Sequence, residues 1–367
     1  MVSKRARSLV ALTALALLLT GCSTATPTAT ITPVDYRACL VTEPGGSSDE
    51  SLNRDAYVGL MQAVVVHGVQ KTVTSSTTNA TTVGYTRSIN SLVRKQCNLI
   101  VTIGDEAATA TVRAARANTK TKFVLVDANL ALNDATTDLP NLLSLQYNNA
   151  QAAFLAGYLA AAASKTGKVA TYGARSTTSV NAALSGFKQG VAFFNQESGK
   201  QVVVLGVPGD NAGTWSYVGT FNNVTKSRVL ARKFYAAGAD VVMPVAGSAG
   251  LGAVEAASSD PSRLVIGFGA DWFTVDELKQ YQDNLLASVT KSIASQIAEA
   301  IKADINGKFV GGAAATFVGS LTNDGVALTD EHKVPYPAGL AGQLSSLVTA
   351  IRDGSIVVQS PTWEVLP

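Results

Sequence analysis

Charged residues that follow predicted strands or begin predicted helices are the first candidates for chemistry. They are Asp49, Asp105, Asp127, Asp271 and Lys291. Ligands of open α/β sheets bind beyond the carboxyl ends of the strands, where carboxylate and ammonium groups can hydrogen-bond a small polar molecule. Each of these residues taken alone is more often a helix cap or a surface charge. The pattern therefore indicates a binding site only if the fold brings them together.

Two glycine-containing loops are further candidates for ligand contact. Segment 43–53 follows the first predicted strand and contains several residue types that cap helices. Segment 247–252 (GSAGLG) lies between a strand and a helix, and its backbone N–H groups, starting at Gly247, are suited to approach a small ligand. Its glycine order differs from the dinucleotide-binding fingerprint. The first loop is equally compatible with a capped turn that binds nothing.

Signatures of catalysis are missing from the sequence. It contains neither a GxxxxGK[ST] phosphate loop nor a GxSxG nucleophile elbow. With only His67, His332 and three cysteines, a zinc site of the usual ligand types is nearly excluded. We therefore expect no metal, no cofactor and no enzyme activity. A hydrolase stays the least favoured alternative, since clustered aspartates are its only support.

The first 21 residues have the features of an export signal. Lys4, Arg5 and Arg7 precede an apolar run at 9–19, which is too short to span a bilayer. The run ends in Leu-Thr-Gly-Cys22, which resembles the bacterial lipoprotein signal and implies cleavage before Cys22 and a diacylglycerol on its sulfur. An ordinary secretory signal with a chance cysteine is the alternative. Segment 22–35 is rich in Thr, Ala and Pro and is predicted to be a flexible tether.

The charge balance and hydropathy of the remaining chain limit its partners. The 367 residues are enough for two domains, and without the signal 26 basic residues balance 26 acidic ones. A neutral body argues against nucleic-acid binding as the main role. No other run approaches 18 apolar residues, so membrane contact is expected through the lipid anchor only.

Short apolar, β-branched runs alternate with longer helical patterns along this body. The predicted strands are 38–42, 71–75, 99–103, 123–127, 142–146, 168–172, 202–207, 241–244 and 264–268. The predicted helices are 55–67, 86–95, 107–117, 150–164, 180–195, 224–237, 252–258 and 288–306, with a C-terminal helix near 341–353. This alternation predicts an α/β protein with buried parallel sheets. Two doubly wound lobes fit the length better than a closed eight-stranded barrel, the competing fold.

Two cysteines remain in the body. Cys39 lies in the first predicted strand, and Cys97 immediately precedes the third. These two strands are neighbours in a doubly wound sheet, and an exported protein can form disulfides. We predict a Cys39–Cys97 disulfide, with two buried thiols as the alternative.

Four segments, taken in order, carry a family resemblance. They are DESLNRDAYVGL at 49–60, AFLAGYLAA at 153–161, GADVV at 238–242 with the loop at 246–252, and SVTK at 288–291. Together with the lipoprotein signal they resemble the basic membrane protein family, lipoprotein solute receptors of ABC importers that include purine nucleoside receptors. The resemblance implies a type I periplasmic-binding fold, in which two lobes joined by a hinge close over a ligand. It also implies a small-molecule solute and an ABC permease as partners, and we expect a monomer.

The resemblance further implies roles for individual residues. Asp49 and Asn53 would hydrogen-bond a polar ring edge, Tyr57 and Phe221 would stack on a flat ring, and Lys291 would face ribose hydroxyls or a carboxylate. The remaining expected ligand-binding residues are Asp127, Gly247, Asp271 and Trp272. Lobe one is predicted at 36–147 and 273–318, and lobe two at 148–272 and 319–367.

This sequence departs from the family pattern where a nucleoside would bind. Leu52 replaces a usual Phe, Asn222 and Asn223 follow Phe221 where acid is frequent, and Gly269 replaces an Asp that would bind ribose. Loss of a charged partner for a hydroxyl costs about 1.5–3 kcal/mol. We therefore expect a ring-bearing, nucleoside-like solute that is not a standard nucleoside. A surface sensor of the same fold without a permease is the main functional alternative, and an exported nucleoside hydrolase is the least favoured one.

Overall fold

The computed structural model describes residues 31–44, 46, 52–77, 79–128, 130, 139–207 and 214–360. The predicted signal, the lipidation site Cys22 and the predicted ligand residue Asp49 lie outside these ranges. The predicted tether at 22–35 overlaps them only at its end. There the first strand already begins at Val34, so the folded body starts slightly earlier than the composition indicated.

The described residues form two six-stranded sheets. The strands are β1 (Val34–Thr42), β2 (Val69–Ser76), β3 (Leu99–Ile103), β4 (Lys122–Val126), β5 (Leu142–Tyr147), β6 (Lys168–Gly173), β7 (Val203–Leu205), β8 (Val241–Val245), β9 (Leu264–Gly269), β10 (Leu285–Lys291), β11 (Phe317–Gly319) and β12 (Val326–Leu328). Sheet one has the order β11-β5-β4-β3-β1-β2, and sheet two has the order β12-β10-β9-β8-β6-β7. The paired strands are parallel except β10 with β12. The prediction of two doubly wound α/β lobes is confirmed.

Helices connect the strands of each sheet. They are α1 (Leu52–His67), α2 (Thr82–Arg94), α3 (Asp105–Ala117), α4 (Asn149–Ala163), α5 (Thr178–Ser198), α6 (Val224–Ala236), α7 (Leu251–Ala257), α8 (Ile293–Ile305) and α9 (Leu340–Arg352). Nearly every residue of α4 is buried, so this alanine-rich, apolar helix lies in the core. Glycines let α4 and α5 approach closely, because a Cβ at Gly190 would lie 1.9 Å from the Phe154 carbonyl oxygen.

The chain passes between the sheets after Tyr147, after Lys291 and between Gly319 and Val326. The sequence placed the second passage at 269–272 and assigned 273–318 to lobe one. That boundary is wrong for 273–291, because β10 pairs with β9 in sheet two. The predicted helix at 288–306 is too long for the same reason. Its first residues end a strand that is buried along almost its whole length, as a central strand of a sheet is.

Cys39 and Cys97 form a disulfide in sheet one. Their Cα atoms are 6.0 Å apart, and the bond closes a sequence separation of 58 residues. Residue pairing of β1 with β3 brings the two positions together, since Ala38 lies opposite Leu99. The adjacency of first and third strands is the geometry on which the prediction depended.

Candidate functional site

A cleft lies where the carboxyl ends of strands from the two sheets face each other. Its cavity volume is about 50 Å³. The lining residues from the side of sheet one are Glu43, Leu52, Gly104, Asp105, Glu106 and Asp127. Those from the side of sheet two are Thr177, Ser179, Val180, Phe221, Val245, Gly247, Phe268, Gly269 and Lys291. Nearly all follow a strand directly or begin a helix, the location at which α/β folds bind ligands.

Asp127 connects the two sides of the cleft. It follows β4 in the left-handed conformation (φ 55°), which Asp tolerates better than most residues. One carboxylate oxygen, Oδ2, accepts a hydrogen bond from Ser179 Oγ at 2.8 Å and lies 2.9 Å from Lys291 Nζ. Ser179 and Lys291 both belong to the sheet-two side, so a single carboxylate joins the two sides.

Lys291 ends β10, and its side chain is only 1% exposed. Its ammonium lies 5.3 Å from the ring centre of Phe268 and 5.7 Å from that of Tyr147. Both distances suit a cation–π interaction. Burial raises the pKa of the Tyr147 phenol above its ordinary value, with the Asp127 charge adding to the effect. The phenol therefore stays neutral beside the ammonium–carboxylate pair.

Two further contacts join the sides. Arg175, which follows β6, lies 3.2 Å from Glu106 in the first turn of α3. Arg54 of α1 donates a hydrogen bond to the Thr274 carbonyl oxygen at 3.4 Å. The cleft is therefore bridged at Asp127, at Glu106 and at Arg54.

Glycines shape both walls of the cleft. Gly104 precedes α3 with a φ of 84°, and a Cβ there would lie 2.6 Å from Glu43 Oε1. Gly247, at φ 56°, would place a Cβ 3.2 Å from the Phe221 carbonyl oxygen. Both backbones have a positive φ, which favours glycine, and a Cβ at either position would also press on an oxygen atom.

Gly269 is part of the cleft wall, beside Leu52. Its φ is 104°, and a Cβ built there would lie 3.4 Å from Leu52 Cδ2. Two of the positions at which this sequence departs from the family pattern, Leu52 and Gly269, are therefore neighbours. Together they present an apolar surface instead of a carboxylate and an aromatic ring.

Four of the predicted ligand-binding residues that the structure describes do not line the cleft. Asn53 is fully buried, and its Oδ1 accepts a hydrogen bond from the Glu43 backbone N–H at 2.9 Å. Tyr57 packs against the core from α1. Asp271 caps the short 3₁₀ helix at Trp272–Thr274 by accepting from the backbone N–H of the residue two positions on.

Trp272 is the fourth of these residues and belongs to the core of sheet two. Its side chain is 1% exposed, and a Cβ at Gly267 would lie 2.6 Å from the indole ring. The indole ring of Trp272, which the sequence suggested as a ligand contact, is therefore buried in apolar packing. The predicted residues Asp127, Phe221, Gly247 and Lys291 do line the cleft, whereas Asp49 lies outside the described residues.

Sequence reasoning missed several lining residues. They are Gly104, Glu106, Thr177, Ser179, Val180, Val245 and Phe268. Glu43, Leu52, Asp105 and Gly269 also line the cleft; the sequence singled out these positions without assigning them to the ligand. The signal for most of them is position, because they end strands or begin α3 and α5. Thr177 caps α5 by accepting from the Val180 N–H. A polar cap on the cleft side of a helix looks the same in sequence as one that faces solvent.

Solved structures with the same fold include solute-binding proteins and regulators. A solute-binding protein of an ABC transporter system from Aeropyrum pernix K1 superposes with a TM-score of 0.74 at 20% identity, covering 90% of this chain and 94% of that chain. An arabinose-binding protein from Geobacillus stearothermophilus superposes with a TM-score of 0.56 at 15% identity, covering 81% and 97%. A transcriptional activator of the comK gene from Bacillus halodurans gives 0.66 at 20%, covering 89% and 99%. The architecture is thus the type I periplasmic-binding fold, as predicted.

Residues 37–357 match the family of PnrA-like ABC transporter substrate-binding proteins (Bmp), and the chain belongs to this family. The nucleoside-binding protein BmpA of a Lactococcus lactis ABC transporter is 26% identical, covering 96% of this chain and 99% of the relative. The CD4+ T-cell-stimulating antigen of Listeria monocytogenes is 27% identical, with 88% of each chain covered. The predicted family is confirmed.

Two further features concern metals and membranes. Among the residues that the structure describes, no group of three or more His, Cys, Asp or Glu side chains is arranged to hold a metal ion. Within the same residues no helix is long and apolar enough to cross a membrane.

Proposed function

We propose that this protein is a lipid-anchored, extracytoplasmic receptor that binds a small ring-bearing, nucleoside-like solute between its two sheets and delivers it to an ABC permease. The observation that carries the proposal is the cleft with Asp127 at its centre, joined to Lys291 and Ser179 across the two sides. Such a bridge couples the contents of the cleft to its closure, because all three polar groups are within reach of a bound solute. Closure about a hinge is a common motion of two-lobed binding proteins.

The apolar side chains of the cleft support a flat ligand. Phe221 and Phe268 both line it, together with Leu52, Val180 and Val245. Stacking of an aromatic side chain on a base is worth about 1–3 kcal/mol. The acceptors and donors of Asp127, Ser179 and Lys291 would then fix the polar edge of the ring, as polar groups do in mostly apolar pockets.

The lipid anchor and the permease are inferred from features other than the cleft. Cys22 would carry the lipid, and the tether would hold the body near the membrane surface. The family to which the chain belongs consists of ABC transporter substrate-binding proteins, which act with a permease. We propose a monomer that contacts the membrane through its lipid alone and binds no nucleic acid.

A sensor without a permease is the second candidate, since an activator protein shares the fold. It would use the same cleft, so ligand binding does not separate the two. A comparison of ligand uptake by cells with and without the gene would separate the receptor from the sensor. A catalytic role has less support, because the relatives in the family are substrate-binding proteins rather than enzymes.

Thermal unfolding against a solute panel tests the binding proposal. The panel contains nucleosides, bases, flavins and small sugars. A ligand at about 100 times its Kd stabilises the folded state by about 2.7 kcal/mol. We expect ring compounds to raise the Tm of the wild type and to lose most of that effect in Phe221→Ala. Phe273→Ala is the matched control, because Phe273 stacks on His332 outside the cleft. Stabilisation by sugars alone, or equal shifts in the three proteins, would contradict the proposal.

A further inference from the structure

The cleft is nearly closed in the structure. Its cavity volume of about 50 Å³ is far below the roughly 300–1,000 Å³ that is typical of small-molecule sites. Lys291 lines the cleft, yet its side chain is only 1% exposed. The two sides must therefore separate before a ring-bearing solute can enter or a reagent can reach this ammonium group.

One short segment on the side of sheet two makes two of the contacts that hold the sides together. Residues 175–179 run from the end of β6 into the first turn of α5. Arg175 lies 3.2 Å from Glu106 in the first turn of α3, and Ser179 donates a hydrogen bond to Asp127. Ser179 and Asp127 line the cleft, where a bound solute would contact them. Arg175 is not among the described lining residues, so its contact lies at the edge of the cleft.

Backbone hydrogen bonds fix Arg175 and Glu106 to their own sides of the cleft. The residue before Arg175 is bonded into sheet two, since the Ala174 N–H donates to the Val245 carbonyl oxygen of β8 at 2.9 Å. The start of α3 is bonded to sheet one, since the Gly104 N–H donates to the carbonyl oxygen of the last residue of β4 at 2.9 Å. Each partner therefore moves with its own sheet, and separation of the sheets breaks the pair.

We propose that Arg175 and Glu106 form an ionic latch at the edge of the cleft, which holds the two sides together and must break before a solute enters. The inference goes beyond the proposed binding function, because it concerns closure of the cleft and not the identity of the solute. The side chains of Arg175 and Glu106 are 47% and 21% exposed, so salt can screen the pair. Exposed ion pairs shift an equilibrium by up to about fivefold. The fraction of open molecules, and with it the apparent affinity for a solute, should therefore depend on these two residues.

Acetylation of Lys291 by acetic anhydride measures opening of the cleft in the full chain without added solute. Peptide mass spectrometry gives the initial rate, normalised to that of Lys302, whose side chain is 47% exposed. Glu106→Gln and Arg175→Gln should each raise this rate several-fold, up to about fivefold, and the double variant should raise it no further. The two variants remove charges of opposite sign, so a purely electrostatic effect on the lysine would raise one rate and lower the other.

The ion pair of Arg228 and Glu255 is the matched control. It has the same residue types at a similar distance, 3.1 Å, and a comparable exposure of 36% and 33%, but it joins α6 to α7 on the side of sheet two alone. Glu255→Gln should therefore leave the normalised Lys291 rate unchanged, and salt should raise that rate in the wild type but not in Glu106→Gln. Unchanged rates in the latch variants, rates that move in opposite directions, an equal rise in Glu255→Gln, or a wild-type rate that does not respond to salt would overturn the latch. Each of these results would leave the proposed receptor function intact.

Discussion

The ion pair of Asp127 and Lys291, which bridges the cleft, should contribute strongly to the stability of the folded protein. Lys291 is 1% exposed and Asp127 is 8% exposed, so each charge depends on the other after losing its hydration. Removing one partner of a buried ion pair costs about 3–5 kcal/mol, because the remaining charge is left uncompensated. We expect Asp127→Asn to lower the free energy of unfolding by about 3 kcal/mol. Asn keeps a hydrogen-bond acceptor and tolerates the left-handed backbone, so this variant isolates the charge.

Denaturant unfolding followed by circular dichroism measures this loss, and Glu299→Gln is the matched control. Glu299 pairs with Lys302 at a similar distance, but both side chains are about half exposed. Such surface pairs contribute at most about 1 kcal/mol. The double variant Asp127→Asn/Lys291→Met should lose less than the sum of its single variants, since no uncompensated charge remains. If Asp127→Asn lost no more stability than Glu299→Gln, the buried bridge would not exist in solution and the reasoning would fail.

Three further predictions concern the scaffold. Replacing both Cys39 and Cys97 by Ala should lower the free energy of unfolding by about 2–5 kcal/mol, measured by denaturant titration, because the bond closes a long loop of the unfolded chain; an unchanged midpoint would contradict the disulfide. Gly190→Ala should lower the Tm through overpacking against α4, whereas Gly342→Ala in α9, where a Cβ meets nothing within 4 Å, should raise it slightly; equal shifts would refute this packing. Burial raises the pKa of Asp55 to about 7, so the folded state binds more protons than the unfolded state between about pH 4 and 7. The free energy of unfolding should therefore fall as the pH rises through that window, by up to about 1.4 kcal/mol per pH unit. Asp55→Asn should flatten this part of the stability–pH curve, and an identical slope in wild type and variant would contradict the prediction.

Alternation of apolar runs and helical patterns was sufficient to predict the two parallel sheets and the order of most elements. It failed at 285–291, where a buried strand leads into α8 after a single residue. A strand that is buried on both faces lacks the polar–apolar period of two, so its boundary with the following helix leaves little trace in the sequence. The pairing of β10 with β9, which sets the lobe boundary there, is a tertiary contact.

Prediction of the cleft succeeded where a residue's position alone determines its direction. Asp127 follows β4 of sheet one and Lys291 ends β10 of sheet two, and both line the cleft. It failed where packing decides, as at Trp272, whose ring fills the core beside Gly267. Glu43 was not assigned to the ligand because a carboxylate after a strand resembles an ordinary turn residue until α3 is seen next to it.

Titration of the ring compound that most stabilises the protein, into wild type, Phe221→Ala and Lys291→Met, tests the central claim most directly. The account predicts one solute per chain for the wild type and a loss of tenfold or more in affinity for each cleft variant, since stacking alone is worth about 1–3 kcal/mol. The control Phe273→Ala should bind as the wild type does. Binding that is unchanged in both cleft variants would show that the solute occupies another part of the molecule and would contradict the account.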